Sequence, residues 1–319
     1  MHKCLRQRAR VSFSHNTSPA SGPPSNAALL AVAGVLALLW GTAYTLIDVA
    51  VRDLEPVWLV SLRTLLGAGL VTVFIYLRGL RLPPIRDVRW LWYGVLGQTG
   101  ITVPFILIAT AQERVESGLT GVIVATTPVL TVALAHVYGS ERVSAVGFLG
   151  FVVAFAGIAV LFLPEDLSLS LVAEWRSQVL LLLSACFYAF TTVAATRVPE
   201  TPPETGAAVM LISAAVSATV AGLVLGLPAG EITGREWVLI AALGVGSTAL
   251  GTILYVWAAA RAGAGYVAKV NYLAPPVSVV SGALFLGEVI TWRLLVAVAL
   301  VILGLWITRS SRLSEPQTG

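Results

Sequence analysis

The stretches PVLTVALAHVYGSE at 128–141 and PPVSVVSGALFLGE at 275–288 share a layout: a proline, an apolar run, and a glutamate thirteen residues after the proline. They are 147 positions apart, and the same offset relates residues along most of the chain. Other pairs at this offset are Pro56 and Pro203, Trp90 and Trp237, Leu96-Gly97 and Leu243-Gly244, Arg114 and Arg261, Gly118 and Gly265, and Gly157 and Gly304. Chance does not place matched Trp, Arg, Pro and Glu in one ungapped register. The chain is therefore predicted to be an internal duplication.

The composition is that of a membrane protein. Hydrophobic residues make up 57% of the chain and charged residues 11%, with a mean hydropathy of +0.87. A soluble domain has about 25% charged residues, because its surface faces water. Helices are favoured over strands, because hydrocarbon offers no partner for backbone amides and the alternation of a barrel is absent.

Apolar runs long enough to cross a bilayer, about 20 residues each, recur nearly end to end. The predicted fold is all-α and integral to the membrane, with ten transmembrane helices as two inverted five-helix repeats. The predicted helices are 28–50, 57–77, 88–111, 117–138, 144–163, 177–196, 206–227, 236–259, 265–287 and 292–309. Five is an odd number, so the second repeat enters the membrane in the opposite orientation, as in many secondary transporters.

The two ends of the chain differ in composition from the apolar runs. Residues 1–27 carry basic residues and then a stretch rich in Ser, Pro and Asn, so they are predicted to be a disordered cytoplasmic tail. The first repeat is assigned to 28–163 and the second to 177–309. A second cytoplasmic tail covers 310–319.

Basic residues predict the orientation, because cytoplasmic loops are enriched in Lys and Arg. One side of the predicted topology holds Lys3, Arg6, Arg8, Arg10, Arg78, Arg81, Arg86, Arg89, Arg142, Arg197, Arg261, Arg309 and Arg312. The other holds Arg52, Arg114, Arg176, Arg235 and Arg293. Both termini are therefore predicted to be cytoplasmic, in a multi-pass protein of the cell (inner) membrane.

A family resemblance is carried by Trp40-Gly41, Arg63, Pro128 with Gly139-Ser-Glu-Arg, and Pro275 with Leu286-Gly-Glu. At these positions the sequence resembles EamA-type members of the drug/metabolite transporter (DMT) superfamily, over about 28–309. The resemblance implies ten helices, cytoplasmic termini and export of amino acids, metabolites, nucleobases or drugs. The chain departs from many members at Lys269 and Asn271, and Met210 stands where a second-half counterpart of Arg63 would be.

Helical spacing groups polar and aromatic residues on shared faces. The predicted substrate-binding residues are Trp40, Tyr44, Gln98, Thr102, Tyr188, Tyr255, Lys269, Asn271 and Tyr272. A single aromatic stripe lies in a core or at the membrane interface more often than in a pocket. Several polar stripes together favour a central cavity, because none of these groups gains from facing lipid.

Charges within the spans are costly, by about 2.5–3.5 kcal/mol at mid-bilayer. Asp48 and Arg63 are candidates for ion or proton coupling; the alternative is structural use, by snorkelling or by pairing near the outer side. Lys269 is a candidate for an anionic group of the substrate. Its alternatives are snorkelling to the near interface or a buried ion pair with Asp48.

Prolines at matched positions predict helix kinks. Pro128, Pro275 and Pro276 each remove a backbone hydrogen bond, and interrupted helices at matched positions point to the binding region of a transporter. The alternative is a kink that only shapes packing. Glu141 and Glu288, at matched span ends, are interpreted as cap or interface contacts.

Other functions fit the sequence less well. The only lysines, Lys3 and Lys269, complete no phosphate-binding G-x-x-x-x-G-K-[ST] loop, which excludes an ATP-driven pump of that class. A channel would need a charged ring or a filter sequence. The prediction is a secondary transporter of a small metabolite, exporting amino-acid-like compounds by alternating access, with no catalytic role. An integral membrane enzyme or a non-transporting subunit is the alternative.

The predicted partners follow from this function. They are a small-molecule substrate and membrane lipids, without nucleic acid, cofactor or metal; a homodimer is left open.

Overall fold

The computed structural model describes residues 26–137, 145–161, 171–228, 230–262 and 270–313, and every regular element among them is helical. The helices are α1 Asn26–Ala50, α2 Pro56–Leu77, α3 Arg89–Ala111, α4 Ser117–Val137, α5 Ala145–Leu161, α6 Leu171–Ala194, α7 Pro203–Leu225, α8 234–262, α9 Val270–Leu286 and α10 Trp292–Leu313. The predicted terminal tails fall largely outside the described residues.

Seven of these described helices, α1 to α4 and α6 to α8, are long and apolar enough to cross a membrane. The apolar parts of α5, α9 and α10 are shorter, at Val146–Val160, Leu273–Leu286 and Trp292–Ile307. Large apolar side chains such as Leu77, Val224 and Phe285 cover the outside of the bundle. The all-α membrane fold is thus confirmed, and the count of ten crossings stays a prediction.

Two helices change their winding at matched positions. A π-helical segment interrupts α3 at Gln98–Thr102 and α8 at Ala242–Leu250. Moved by 147 positions, the first segment becomes 245–249, which lies inside the second. π-Segments occur often at functional sites, because the extra residue turns the following side chains to a different direction.

The matched prolines have different consequences. The first half of α4 ends at Val124 and its second half begins at Thr127, just before Pro128. At the break, the Thr126 hydroxyl donates a 2.7 Å hydrogen bond to the Ile123 carbonyl oxygen, and the Thr127 hydroxyl donates one of 2.7 Å to that of Val124. By contrast, α9 continues as one helix through Pro275 and Pro276. Of the three prolines predicted to kink a helix, only Pro128 therefore lies at an interruption in the described structure. Pro104, which was not among them, lies just after the π-segment of α3.

The two halves pack with approximate two-fold symmetry. The helix pairs α2–α7, α4–α9 and α5–α10 each join one helix to its counterpart, and α3–α7 contacts are matched by α8–α2 contacts. At Gly97 an added Cβ would lie 2.5 Å from the Met210 carbonyl oxygen; at Gly244 it would lie 3.1 Å from that of Arg63. These four residues form two pairs at the 147-residue offset, so the duplication extends to individual contacts.

Glycines bring α5 and α10 into close contact. A Cβ on Gly304 would lie 2.5 Å from the Gly150 carbonyl oxygen and 2.6 Å from the Ala154 amide nitrogen. Its counterpart Gly157 also lies close to α10, where a Cβ would be 2.9 Å from Leu300 Cβ and 3.0 Å from the Ala297 carbonyl oxygen. Small residues at such crossings are typical of membrane helices, because association there depends on van der Waals contact.

Glu288 joins the end of α9 to the start of α4. Its Oε1 accepts a 2.7 Å hydrogen bond from the Ser117 amide, and its Oε2 accepts one of 2.9 Å from the Gly118 amide. Gly287 has φ +71°, in the left-handed region that glycine adopts most readily, and turns the chain after α9. Glu288 is therefore a cap contact, as its sequence position suggests; Glu141 lies outside the described residues.

The loop before α3 is fixed by a local ion pair. The Asp87 carboxylate accepts hydrogen bonds from the Arg89 amide at 2.9 Å and from its guanidinium at 2.7 and 3.0 Å. These bonds lower the pKa of Asp87 to about 2, so the carboxylate stays charged at the first turn of α3. A negative charge there also favours the helix dipole.

Candidate functional site

Arg63 is the most deeply buried charge among the described residues, with 4% of its surface exposed. Its Nε donates to Thr248 Oγ1 at 3.3 Å, and its Nη2 donates to Ser247 Oγ at 3.1 Å and Thr248 Oγ1 at 3.2 Å. The guanidinium carbon lies 4.3 Å from the centre of the Phe105 ring, a cation–π contact. In the described part of the chain, no carboxylate forms a salt bridge with it.

Two tyrosines complete this site. The hydroxyls of Tyr44 and Tyr188 interact electrostatically with the Arg63 guanidinium and with each other. The Tyr44 ring packs on α4, where a Cβ at Gly121 would lie 3.4 Å from it. The Arg63 cluster is defined as Tyr44, Arg63, Phe105, Tyr188, Ser247 and Thr248. It draws side chains from α1, α2, α3, α6 and α8, so five helices converge on one buried charge.

The π-segment of α8 also connects the cluster to two aromatic residues. Trp40 Nε1 donates a 3.2 Å hydrogen bond to the Ser247 carbonyl oxygen. The Trp40 and Tyr255 rings are 5.7 Å apart and tilted by 45°. Gly251 makes room for the indole, because a Cβ there would lie 2.8 Å from Trp40 Nε1. Trp40 and Tyr255 therefore extend the site along α1 and α8.

Gln98 and Thr102 lie elsewhere. Gln98 Nε2 donates to the Ser213 carbonyl oxygen at 3.3 Å, and Thr102 Oγ1 lies 3.0 Å from Ser217 Oγ. Both contacts bind α3 to α7, and neither side chain joins the Arg63 cluster. Both residues lie in the π-segment of α3, on the side of this helix that contacts α7.

Asp48 bonds to Arg52, just past the end of α1, and forms no ion pair with Arg63 in the described structure. Arg52 Nη2 lies 2.5 Å from Asp48 Oδ1, and Arg52 Nε lies 3.1 Å from the same oxygen. The pair borders an open cleft of about 710 Å³ between the end of α1 and the loop after α3. We call it the outer cleft, because the predicted topology places this end of the helices outside. Its lining residues are Asp48, Val51, Arg52, Gln112, Glu113, Arg114, Val115 and Glu116.

Gln112 connects the outer cleft to the Arg63 cluster. Its Nε2 donates a 2.9 Å hydrogen bond to the Tyr44 carbonyl oxygen. Its Oε1 is buried without a hydrogen-bond partner in the described structure. Tyr44 lies one helical turn below Asp48, so the outer cleft and the cluster are neighbours along α1.

The remaining predicted binding residues, Lys269, Asn271 and Tyr272, lie just before or at the start of α9. Lys269 lies outside the described residues. Asn271 and Tyr272 lie in the first turn of α9, and the positions of their side chains are not described. Phe105, Ser247 and Thr248 were not among the predicted binding residues. An apolar Phe gives no signal in a sequence, whereas Thr248 lies two helical turns before Tyr255 on the same face and could have been found from that spacing.

Comparisons with known proteins agree with this architecture. Residues 26–163 and 175–310 match the model of the EamA-like transporter family. The uncharacterized inner membrane transporter YedA of Escherichia coli (strain K12) is 27% identical over 285 residues, or 85% of this chain and 90% of YedA. A probable terminal-alkyne amino-acid exporter of Streptantibioticus cattleyicolor is 26% identical over 276 residues, or 84% and 89% of the two chains. One solved crystal structure has the same fold, with a TM-score of 0.65 at 20% identity, covering 89% of this chain and 99% of its own.

Proposed function

The chain belongs to the EamA-like transporter family of the DMT type, and from that premise we propose that it is a secondary transporter that exports a small metabolite by alternating access. The observation that carries this proposal is the Arg63 cluster. A buried guanidinium in a membrane protein is costly and is usually retained for a substrate or ion pathway. Five helices meet at this charge, as expected of a binding site at the centre of a helical transporter. We assign the chain no catalytic activity.

The proposed binding residues are those of the cluster with Trp40 and Tyr255, together with Lys269, Asn271 and Tyr272 from the start of α9. Gln98 and Thr102 also stay proposed contacts, although in this structure their side chains bond to α7. Asp48 remains a candidate for ion coupling at the edge of the outer cleft, where Arg52 is its hydrogen-bond partner.

The proposed substrates are amino-acid-like compounds. The amino-acid exporter of Streptantibioticus cattleyicolor supports this class, and the aromatic residues around Arg63 suit a compound with an apolar body beside a charged group. Proteoliposomes that contain the purified chain should transport at least one compound from a panel of amino acids, nucleobases and amphipathic cations. Transport of none, in vesicles with verified insertion, would contradict the proposal. Transport that persists after the proton gradient is collapsed would exclude proton coupling.

The proposed architecture is ten crossings in two inverted five-helix repeats, 28–163 and 177–309. Two observations support it. The Gly97–Met210 and Gly244–Arg63 contacts are related by the 147-residue offset, and so are the two π-segments. Both relations are expected when related repeats pack around a two-fold axis. Inversion gives two states of similar energy that open to opposite sides.

Single-cysteine labelling in intact cells tests this topology. Cysteines at Arg81, Arg142 and Arg197 should be protected from an impermeant reagent, and cysteines at Glu55, Glu165 and Glu231 should react. The reason is the basic asymmetry of the loops. A cysteine-free parent with Cys4 and Cys186 replaced is the control. Labelling of the Arg81 and Glu165 positions from the same side would contradict both the orientation and the inverted repeat.

A further inference from the structure

We infer that Arg63 binds the carboxylate of the transported compound, so that the substrates are carboxylic acids, including amino acids, with an apolar or aromatic body. The inference rests on the proposed transport function and names the chemical group that the site recognises.

The donors of Arg63 are only partly used. A guanidinium has five N–H groups. Nε bonds to Thr248, and Nη2 bonds to Ser247 and Thr248. Nη1 makes no hydrogen bond to any residue that the structure describes. Ser247 and Thr248 thus hold one edge of the guanidinium and leave Nη1 for a further acceptor. A carboxylate is the acceptor whose geometry matches this planar group best.

The charge of Arg63 has no counter-ion among the described side chains. Asp48, the acid that the sequence places within a span, bonds to Arg52. Glu288 accepts hydrogen bonds from the amides at the start of α4. The neighbours of Arg63 are hydroxyls and an aromatic ring, which stabilise a cation only in part. A buried cation whose partners are all neutral gains from an anionic ligand, because desolvation then has a compensating ion pair.

Packing does not require an arginine at this position. Gly97 packs against the carbonyl of Met210 as Gly244 packs against the carbonyl of Arg63. The same helix crossing therefore forms with an uncharged side chain in one repeat and a guanidinium in the other. What differs is the chemistry that the side chain presents: α8 supplies Ser247 and Thr248, whereas the matching positions of α3 are Gly100 and Ile101.

The surroundings fit the rest of such a compound. Phe105 lies against the guanidinium at 4.3 Å, and Tyr44 and Tyr188 are within range of electrostatic interaction with it. A tyrosine hydroxyl can donate to the second carboxylate oxygen. On the side of the outer cleft, the unpartnered Gln112 Oε1 can accept a hydrogen bond from an ammonium group. An amino acid would thus find an acceptor for its ammonium group and donors for its carboxylate.

The experiment compares each amino acid of a panel with its carboxamide, which keeps the size and removes the charge. Binding to the purified chain in detergent is measured by isothermal calorimetry, and transport is measured in proteoliposomes. The acids should bind about tenfold or more tightly than the amides, as expected for a hydrogen-bonded charge. Arg63→Met, which installs the residue of the matching position, should lose this preference, and Arg63→Lys should retain part of it. Arg235→Met, at an exposed pair with Asp53, is the matched control and should behave as the parent chain.

The outcomes separate the inference from the proposed function. If the chain transports amines, amides or nucleobases without preferring acids, transport stands and the inference is overturned. If acids bind in an Arg63-dependent way but nothing is transported, the inference stands and the transport proposal fails. An acid preference that survives Arg63→Met would overturn the inference, as would the absence of carboxylate binding. Should Arg63→Met fail to fold, the acid–amide comparison in the parent chain and in Arg63→Lys still decides.

Discussion

Replacing Glu288 with alanine is expected to lower the free energy of unfolding by about 3 kcal/mol, because it removes two charge-assisted hydrogen bonds worth about 1.5–3 kcal/mol each, offset in part by water. The bonds from the Ser117 and Gly118 amides, at 2.7 and 2.9 Å, join the start of α4 to the end of α9. Without the carboxylate, two amides at the first turn of α4 have no partner from α9. Denaturation by sodium dodecyl sulfate in mixed micelles, followed by circular dichroism, measures the change.

Two variants make this measurement specific to the cap. Glu288→Gln keeps the length and one acceptor oxygen but loses the charge. Its free energy of unfolding should therefore fall by about half as much as that of Glu288→Ala. Glu231→Ala removes an exposed carboxylate and should change stability little, since surface substitutions stay within about 0.5 kcal/mol. Equal stability of Glu288→Ala and Glu231→Ala would show that the cap contributes nothing.

Replacing Gly304 with leucine is expected to have an effect at least as large, about 3 kcal/mol or a loss of folded protein. A Cβ at this position already lies 2.5 and 2.6 Å from backbone atoms of Gly150 and Ala154. Backbone atoms cannot move aside as the end of a flexible side chain can, so α10 must separate from α5 along the contact. The yield of monodisperse protein after membrane extraction and the midpoint of thermal unfolding measure this effect.

Gly69→Leu is the matched control, because Gly69 lies in α2 with no heavy atom within 4 Å of an added Cβ. The same side chain is added within a helix at an exposed position, without the helix contact. Its yield and unfolding midpoint should match those of the parent chain. Similar losses for both leucine variants would mean that the α5–α10 contact is not the cause.

The long helices could be predicted closely because apolar length and bilayer thickness determine them together. The second span, predicted as 57–77, is Pro56–Leu77, and the third, predicted as 88–111, is Arg89–Ala111. The break in α4 lies directly before Pro128, where proline removes a hydrogen bond. In α9 two prolines leave the helix continuous. Proline thus indicates where a helix can be interrupted, while the packing around it determines whether it is.

The candidate site was predictable only in part, because helical spacing assumes one constant winding. Trp40, Tyr44, Tyr188 and Tyr255 were predicted from helical spacing, and all four lie in or beside the Arg63 cluster. Gln98 and Thr102 obey the same spacing but lie in a π-segment and bond to α7. Polar residues serve both pockets and helix contacts in a membrane, and only the neighbouring helix distinguishes the two uses.

The partners of Arg63 were also beyond the sequence. Pairing with an acid near the outer side was one expectation, yet Asp48 bonds to Arg52, four residues later in the turn that follows α1. Serine and threonine hydroxyls 184 and 185 positions away hold the guanidinium instead. Contacts of this range follow from how the repeats pack, which no local pattern encodes.

The Arg63–Gly244 and Met210–Gly97 contacts are equivalent in the two repeats but not identical, and this difference has a consequence for transport kinetics. In the proposed cycle the two repeats exchange conformations. The Arg63–Gly244 crossing then adopts the geometry that the Met210–Gly97 crossing has in this structure, so the guanidinium is held differently when the site opens to each side. If the chain works by the proposed cycle, we expect a bound anion to dissociate at unequal rates toward the two compartments, so that the half-saturating concentrations for efflux and uptake differ. Detailed balance still forbids accumulation from this asymmetry alone. Uphill export would require a second, coupled solute whose gradient is dissipated in each cycle.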